Sequence, residues 1–468
     1  MSPIRHILRS GPLALLICSC AVGPNYKKPD VSPLTPAQWS WTPAVPRDTA
    51  PKGRWWGLFK DPALNELESD ALAGGQTLRA AVARVDQARA AARLSRSQFF
   101  PRLSFDPSYE HQQTSGNLPT PIPFHIPQAQ FDSFSMPLDL SYEVDVWGRV
   151  RRGFEGARAD AQASAAEYQT VLLTLTSDVA LNYFMLRSLD GEIAALRGAV
   201  ATRRESACLF RARFQVGAIA ELDAVQAETE LASAQADLAD AGRQRAETLH
   251  ALALLCGKPA TSFSLPERSL SGPPPPVPAD LPATVLERRP DIAAAERTLA
   301  SRNAQIGASR AAYFPAISLT GQGGYLSASV DHLFAGDSRV WSIGPSVSLP
   351  VFTGGRTKAG VERALAARDE AAADYRQAIL AAIKEVEDSL AQIQRREEQA
   401  AAVQRAVVSA RRQLELSNAR YTAGASTYLP VAEAERVLRQ EEAQQARLQG
   451  ERYAASVRLI KALGGGWQ

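Results

Sequence analysis

Ser133-Phe134-Ser135-Met136-Pro137-Leu138-Asp139-Leu140-Ser141-Tyr142-Glu143-Val144-Asp145-Val146-Trp147-Gly148-Arg149 alternates with a period of two. Successive side chains of a strand point to opposite faces, so Phe134, Met136, Leu138, Leu140, Tyr142, Val144 and Val146 share one side. Ser135, Asp139, Ser141, Glu143 and Asp145 share the other. A half-buried strand of a soluble sandwich gives the same alternation. Two features of the context differ from a sandwich. The segment is long enough to cross a bilayer as a tilted strand, and a helical pattern of more than about sixty residues follows it directly.

The chain repeats itself. Ser95 to Phe105 (SRSQFFPRLSF) matches Ser309 to Leu319 (SRAAYFPAISL), with Pro101 against Pro315 at an offset of 214. Beyond the strands the offset is 207: Gly148-Arg149 against Gly355-Arg356, Tyr168 against Tyr375, and Phe214-Gln215-Val216-Gly217 against Tyr421-Thr422-Ala423-Gly424. The seven extra residues of the first copy belong to the Pro-rich loop His111 to Gln130, a natural place for a tolerated insertion. Each copy reads as amphipathic helix, strand, loop, strand, very long helix, glycine turn and helix. In the second copy the strands are Ile317 to Tyr325 and Trp341 to Val351, with Trp341, Ile343, Val347, Leu349 and Val351 on one face and Ser342, Ser346 and Ser348 on the other. Ser271 to Pro282, with its run Pro273 to Pro276, reads as the linker between copies.

Four tilted strands do not close a membrane barrel, whose smallest single-chain examples have eight. An open edge in lipid leaves backbone groups unpaired at several kcal/mol each. The chain must therefore pool strands with copies of itself; two chains supply eight and three supply twelve. The long helices carry apolar residues every seventh position: Ala165, Leu172, Val179, Leu186, Ile193, Val200, Ala207 and Phe214, then Ala372, Ile379, Val386, Ile393, Ala400, Val407, Leu414 and Tyr421. The companion positions fade from Ile383 and Leu390 to Glu397, Gln404 and Arg411. So narrow a seam suits a one-layer wall of helices, wet on both sides. At 1.5 Å per residue, Thr357 to Tyr421 makes about 100 Å of helix. An ordinary helical bundle explains the heptads equally well and leaves the two hairpins unexplained.

The N-terminus reads as a targeting segment: Arg5 and Arg9, the apolar run Leu13 to Ile17, then Cys18-Ser19-Cys20. Ile17-Cys18-Ser19-Cys20 resembles a bacterial lipobox, with Cys18 where a small residue is usual, and Cys20 is the expected lipid anchor. Loss of residues 1–19 removes two arginines and lowers the formal net charge from +3 to +1, so the basic balance gives no case for nucleic acid. Cys208 and Cys256 remain in Ala-rich helical sequence, and no disulfide framework exists. Ala21 to Lys52, rich in proline, reads as a tether or surface loop.

Catalytic constellations are missing from the sequence. His111, His125, His250 and His332 are scattered without HExxH spacing, and no cysteine pair has zinc spacing, so neither a metal nor a cofactor is expected. Gly321-Gln322-Gly323-Gly324 lacks the lysine and helix start of a phosphate loop and reads as glycines in a barrel strand. Thr353-Gly354-Gly355-Arg356 reads as a strand-to-helix turn. The many helical Glu and Arg residues read as solvated faces.

Cys20-Ala21-Val22-Gly23-Pro24-Asn25-Tyr26, followed by Trp55-Trp56-Gly57-Leu58-Phe59-Lys60-Asp61-Pro62-Ala63-Leu64, resembles the opening of the outer-membrane factor lipoproteins of multidrug efflux systems, the TolC-like or NodT family. The resemblance covers nearly all of the mature chain. It implies a mainly α protein with a membrane β-barrel: a homotrimer with four strands per chain in a shared twelve-stranded barrel, continued by a long helical periplasmic tunnel built from two repeats. It implies an anchor of palmitate type at Cys20 in the outer membrane, no enzymatic activity, and two partners, a periplasmic adaptor (membrane fusion) protein and an inner-membrane transporter of the RND class. The glycine turns become the distal tips that meet the adaptor, at Val216, Gly217, Ala218 and Asp223 and at Gly424, Ala425, Ser426 and Thr427. Val216, Gly217 and Asp223 match the family's VGxxxxxD pattern; the second turn carries Pro430 at the acidic position. Related ducts close near the tips with acidic residues and polar links between helices. The expected pinch here is Leu414, Glu415 and Asn418, with Arg411, Arg412 and Arg420 beside it and glutamate in place of aspartate at 415.

The expected organisation is a signal at 1–19, a lipid-anchored tether at 20–54, a first repeat at 55–270, a linker at 271–282 and a second repeat at 283–468. The expected function is that of a passive exit duct for drugs or other small molecules in a tripartite efflux pump. The alternatives are the same fold serving type I protein secretion, and a lipid-anchored periplasmic coiled-coil scaffold without a channel.

Overall fold

The computed structural model describes residues 21–30, 32–34, 53–115, 128–277 and 288–465. Cys20 lies outside them. The chain forms two compact units: Met1–Lys28, Gln87–Gln162 and Arg297–Ala373 make one, and Pro29–Asp86, Ala163–Glu296 and Asp374–Gln468 the other. The elements are α1 (Pro62–Gly74), α2 (Gln76–Ser97), β1 (Arg102–Phe105), β2 (Ser108–Gln113), β3 (Gln130–Glu143), α3 (Arg149–Gln215), α4 (Glu221–Leu255), α5 (Pro290–Ala311), β4 (Ala316–Ser327), β5 (Arg339–Ser348), α6 (Arg356–Thr422) and α7 (Leu429–Ala462). The repeat is visible in the two long helices, each of 67 residues.

The first unit holds the sheet, in the order β1-β3-β4-β5 with β2 also paired to β3. All ladders are antiparallel. The register collects side chains by chemistry. Leu103, Leu140, Gly321 and Ile343 stand in one row, and Phe105, Leu138, Gly323 and Trp341 in the next of the same face. Rows of the opposite face hold Arg102, Ser141, Thr320 and Gly344, then Ser104, Asp139, Gln322 and Ser342, where Gln322 donates to Asp139 at 3.0 Å. No residue of the five strands is buried, so neither face is covered as a soluble sandwich requires.

Three strand expectations are corrected. β3 ends at Glu143, so Val144 and Val146 leave the strand. Asp145 ends it by turning its carboxylate onto the first turn of α3, accepting from the backbone N–H of Val150 at 3.1 Å and of Arg151 at 2.8 Å. β5 runs Arg339–Ser348, not to Val351, because Pro350 has no N–H for a ladder. The first arm of the first hairpin is split at Asp106-Pro107 into β1 and β2, both still on β3. Glycine serves the sheet at Gly324, opposite Pro137, where a Cβ would overlap the Met136 carbonyl oxygen.

Residues 21–26 are docked on the first unit, which is the surface-loop alternative for that part and not the free tether. The Val22 N–H donates to Trp147 O at 3.0 Å, Asn303 donates to Pro24 O at 3.0 Å, and Arg152 donates to Asn25 Oδ1 at 2.7 Å. Gly23, at φ 105°, packs on Gly307 so closely that a side chain on either would strike the other segment.

The second unit buries the heptad seam: Val179, Leu186, Ile193, Val200 and Ala207 of α3 and Ile379, Val386 and Val407 of α6 are buried. Its main core gathers Trp55, Trp56, Leu64, Leu67, Leu175, Tyr183, Phe184, Leu252, Tyr453 and Val457. The Trp55-to-Leu64 motif is therefore packing and capping. Asp61 caps α1 through Ala63 N–H at 3.0 Å, and its other oxygen accepts from Tyr183 Oη at 2.7 Å and from Arg268. The described part of the Pro-rich linker lies along helices: Val277 packs beside Val386 and Leu390, and Ser271 O accepts from Tyr453 Oη at 3.3 Å.

Candidate functional site

Each glycine turn closes a long helix with the same hydrogen bonds. Gly217 N–H reaches Phe214 O at 2.8 Å and Ala218 N–H reaches Arg213 O at 2.8 Å; Gly424 N–H reaches Tyr421 O at 3.0 Å and Ala425 N–H reaches Arg420 O at 2.9 Å. This is the Schellman pattern, which requires φ > 0 at its glycine, and both glycines sit at φ 71°. A Cβ at either meets open space, so glycine is needed for backbone shape and not for room. Val216 and Leu222 stand out at 78% and 74% exposure, with Glu221 and Asp223 in the first turn of α4. Ala218, Ala425 and Thr427 are exposed. Ser426 is half-buried.

The two turns are bridged by Tyr421 of the heptad row together with Tyr428, Phe210, Ser206 and Arg213, which the sequence reading did not single out. Tyr428 packs on Phe210 at 4.3 Å and on Tyr421 at 5.5 Å between ring centroids, and its hydroxyl donates to Ser206 at 2.9 Å. Arg213 donates to Tyr421 Oη at 2.6 Å. Burial pushes the Tyr428 hydroxyl and the Glu435 carboxyl above their ordinary pKa values. The signal available in sequence was an aromatic residue directly following the second turn. A cavity among Arg203, Phe210, Tyr428 and Glu435 has about 20 Å³, room for a single water and no more.

Of the expected pinch residues, Leu414 is half-buried and packs with the cluster of Val403, Val407, Ala410 and Leu438. Glu415 is exposed and pairs with Arg412 one turn earlier at 2.9 Å; Arg411 reaches across to Glu442 of α7 at 3.1 Å. Asn418 and Arg420 are exposed, and Arg420 has no ion-pair partner among the described residues. Cys208 is exposed and Cys256 buried, its thiol pushed up to about 11 chiefly by burial. No helix among the described residues is long and apolar enough to cross a membrane.

The profile of the family described as "Outer membrane efflux protein" matches residues 67–258 and 281–465. The chain belongs to this family. It is similar to the solvent efflux pump outer membrane protein SrpC of Pseudomonas putida, 34% identical over 97% of each chain. It is also similar to the pyoverdine export outer membrane protein OpmQ of Pseudomonas aeruginosa, 34% identical over 97% of this chain and 96% of that one. Among solved structures it resembles the CmeC outer membrane channel of Campylobacter jejuni, at TM-score 0.88 and 26% identity over 96% of each chain. The open state of the MtrE outer membrane channel of Neisseria gonorrhoeae fits at TM-score 0.81 and 30% identity, over 96% of this chain and 98% of that one. As an outer membrane efflux protein the chain is an outer-membrane channel component of an efflux system, with the TolC-like fold and no place in an enzyme family.

Proposed function

We propose that three copies of this chain pool their sheets into one twelve-stranded barrel and that the helices continue it as a periplasmic exit duct. The observation that carries this is the sheet: one apolar face, one polar face, neither covered, and two edges, β1 with β2 on one side and β5 on the other. Unpaired edges cost several kcal/mol per backbone group in hydrocarbon, so closure against copies removes the penalty. Four antiparallel staves per chain bring β5 of one copy antiparallel to the first strand of the next, and three copies give twelve. The polar face then lines water and the apolar face meets lipid.

In this reading lipid on Cys20 anchors the chain to the outer membrane. The tips at Val216, Gly217, Ala218 and Asp223 and at Gly424, Ala425, Ser426 and Thr427 meet a periplasmic adaptor, and an inner-membrane RND transporter supplies the energy. The cargo class is small molecules, in line with the solvent and the pyoverdine named for the relatives above. Electrophoresis of unheated and boiled protein, with conductance in planar bilayers, tests the duct. A heat-resistant trimer with steady conductance is expected; a monomer in detergent with no conductance sinks the reading and favours a scaffold.

A further inference from the structure

In α4, Leu222, Val225, Thr229, Ala232, Ala236 and Ala239 recur at alternating spacings of three and four, the seam of a coiled coil, and every one of them is exposed. The same helix has a second seam, Ala224, Ala227, Ala234 and Ala241, and that one is buried. The buried seam belongs to α3: Ala227 packs with Ala207 and Phe210, and the two helices are tied by Arg203 to Glu230 at 3.2 Å and by Arg245 to Asp190 at 2.7 Å.

Contacts then run helix to helix. α3 also holds α7, where Ser188 Oγ donates to Ala446 O at 3.0 Å and Arg447 pairs with Glu192. α7 in turn holds α6, through Arg396 to Glu451 at 2.7 Å and the cluster of Val403, Val407, Ala410, Leu438 and Leu448. The order is α4-α3-α7-α6, which leaves a seam of α4 at one end and a face of α6 at the other.

The repeat states what fits there. At the offset of 207, α3 corresponds to α6 and α4 to α7, so the contact of α3 with α7 has its counterpart in a contact of α6 with α4. Those two helices stand at opposite ends of one chain's row, so the counterpart forms between copies. The α3–α7 contact is closest at Gly450, where a Cβ would overlap that of Ser188, and one heptad further along both helices stand Ala443 and Ala195. Their counterparts are Arg243 with Arg395, then Ala236 with Ala402. Both of these alanines are exposed, and side chains so small let two helices approach closely. Arg243 is held by Asp240 at 2.8 Å and Glu247 at 2.7 Å, and Arg395 by Glu398 at 2.8 Å, so neither brings an uncompensated charge to the layer.

We propose that α4 of one copy packs against α6 of the next, with Ala236 opposite Ala402. The seam rests on the pooling of copies proposed above and runs in the same sense as the sheet, the second repeat of one chain meeting the first repeat of its neighbour. Unlike faces meet, so the contact is head-to-tail and closes as a ring.

Disulfide formation in purified full-length protein carrying Cys208→Ser tests the seam. Ala236→Cys combined with Ala402→Cys should, after oxidation and boiling, run as covalent dimers and trimers that a reductant returns to monomers. Facing positions bring the two Cβ atoms to the ~3.8 Å that a disulfide requires. Each single variant should boil to monomers, and a covalent dimer from Ala236→Cys alone means that α4 meets α4 and overturns the seam. Electrophoresis of the unheated, unoxidised double variant reads the oligomer separately. An oligomer that yields no covalent ladder, or a disulfide closed within one chain, overturns the seam and leaves the pooled barrel standing. A monomer throughout overturns both.

Discussion

Glu68 of α1 is fully buried, and neither carboxylate oxygen has a hydrogen-bond partner among the described residues. Burial pushes its pKa from 4.5 to about 9. A carboxyl raised in the folded state contributes fully below the unfolded value and loses that contribution as pH climbs toward the folded one. The slope is about 1.4 kcal/mol per pH unit, because only the folded chain retains the proton between those limits. Unfolding by denaturant at pH 6 and pH 8 should therefore show wild type less stable at pH 8. Glu68→Gln should flatten that loss, and an equal loss in both proteins would mean that the carboxylate is ionised in the fold.

At the scale of elements the sheet supports a paired test. Leu140 lies in the row of Leu103 and Ile343, whereas Ser141 lies in the row of Arg102 and Thr320. Leu140→Arg should cost about 2 to 4 kcal/mol of membrane assembly if the first row meets lipid, and Ser141→Arg should be tolerated. The yield of heat-resistant oligomer reads both. The strand's inner part was legible because period-two alternation is a local property. Its end was not, since Val144 and Val146 continue the alternation while the Asp145 carboxylate, an interaction with residues five and six positions on, ends it. Whether the stretch 21–26 is tether or surface loop was undecided in sequence for a similar reason: its partners Asn303 and Gly307 lie far away in the chain.

For the whole molecule the open question is where the duct closes. We propose the end of α6, where three copies of Glu415 around one axis would favour cations and repel one another. In the single chain Glu415 is paired with Arg412, the arrangement of a solvated helix face as well as of a latch. Glu415→Gln should lower cation selectivity in planar bilayers, and Arg412→Ala or Arg420→Ala should raise the open fraction. Unchanged selectivity and conductance in all three would place the pinch elsewhere.

Alternation, heptads and the offset of 207 are near-neighbour patterns, so the sequence alone determined the two repeats, the strand faces, the long helices and the glycine turns that end them. Burial of Val179, Leu186, Ile193, Ile379 and Val386 follows that periodicity. Only the tertiary structure decided what needs partners far apart in the chain: the bridge from Tyr428 to Phe210 and Ser206, and the clasp of Asp61 by Tyr183 and Arg268. Hydrogen bonds and ion pairs are short-ranged and directional. Which groups meet therefore depends on a fold that brings distant residues within about 3 Å, and no local pattern records it.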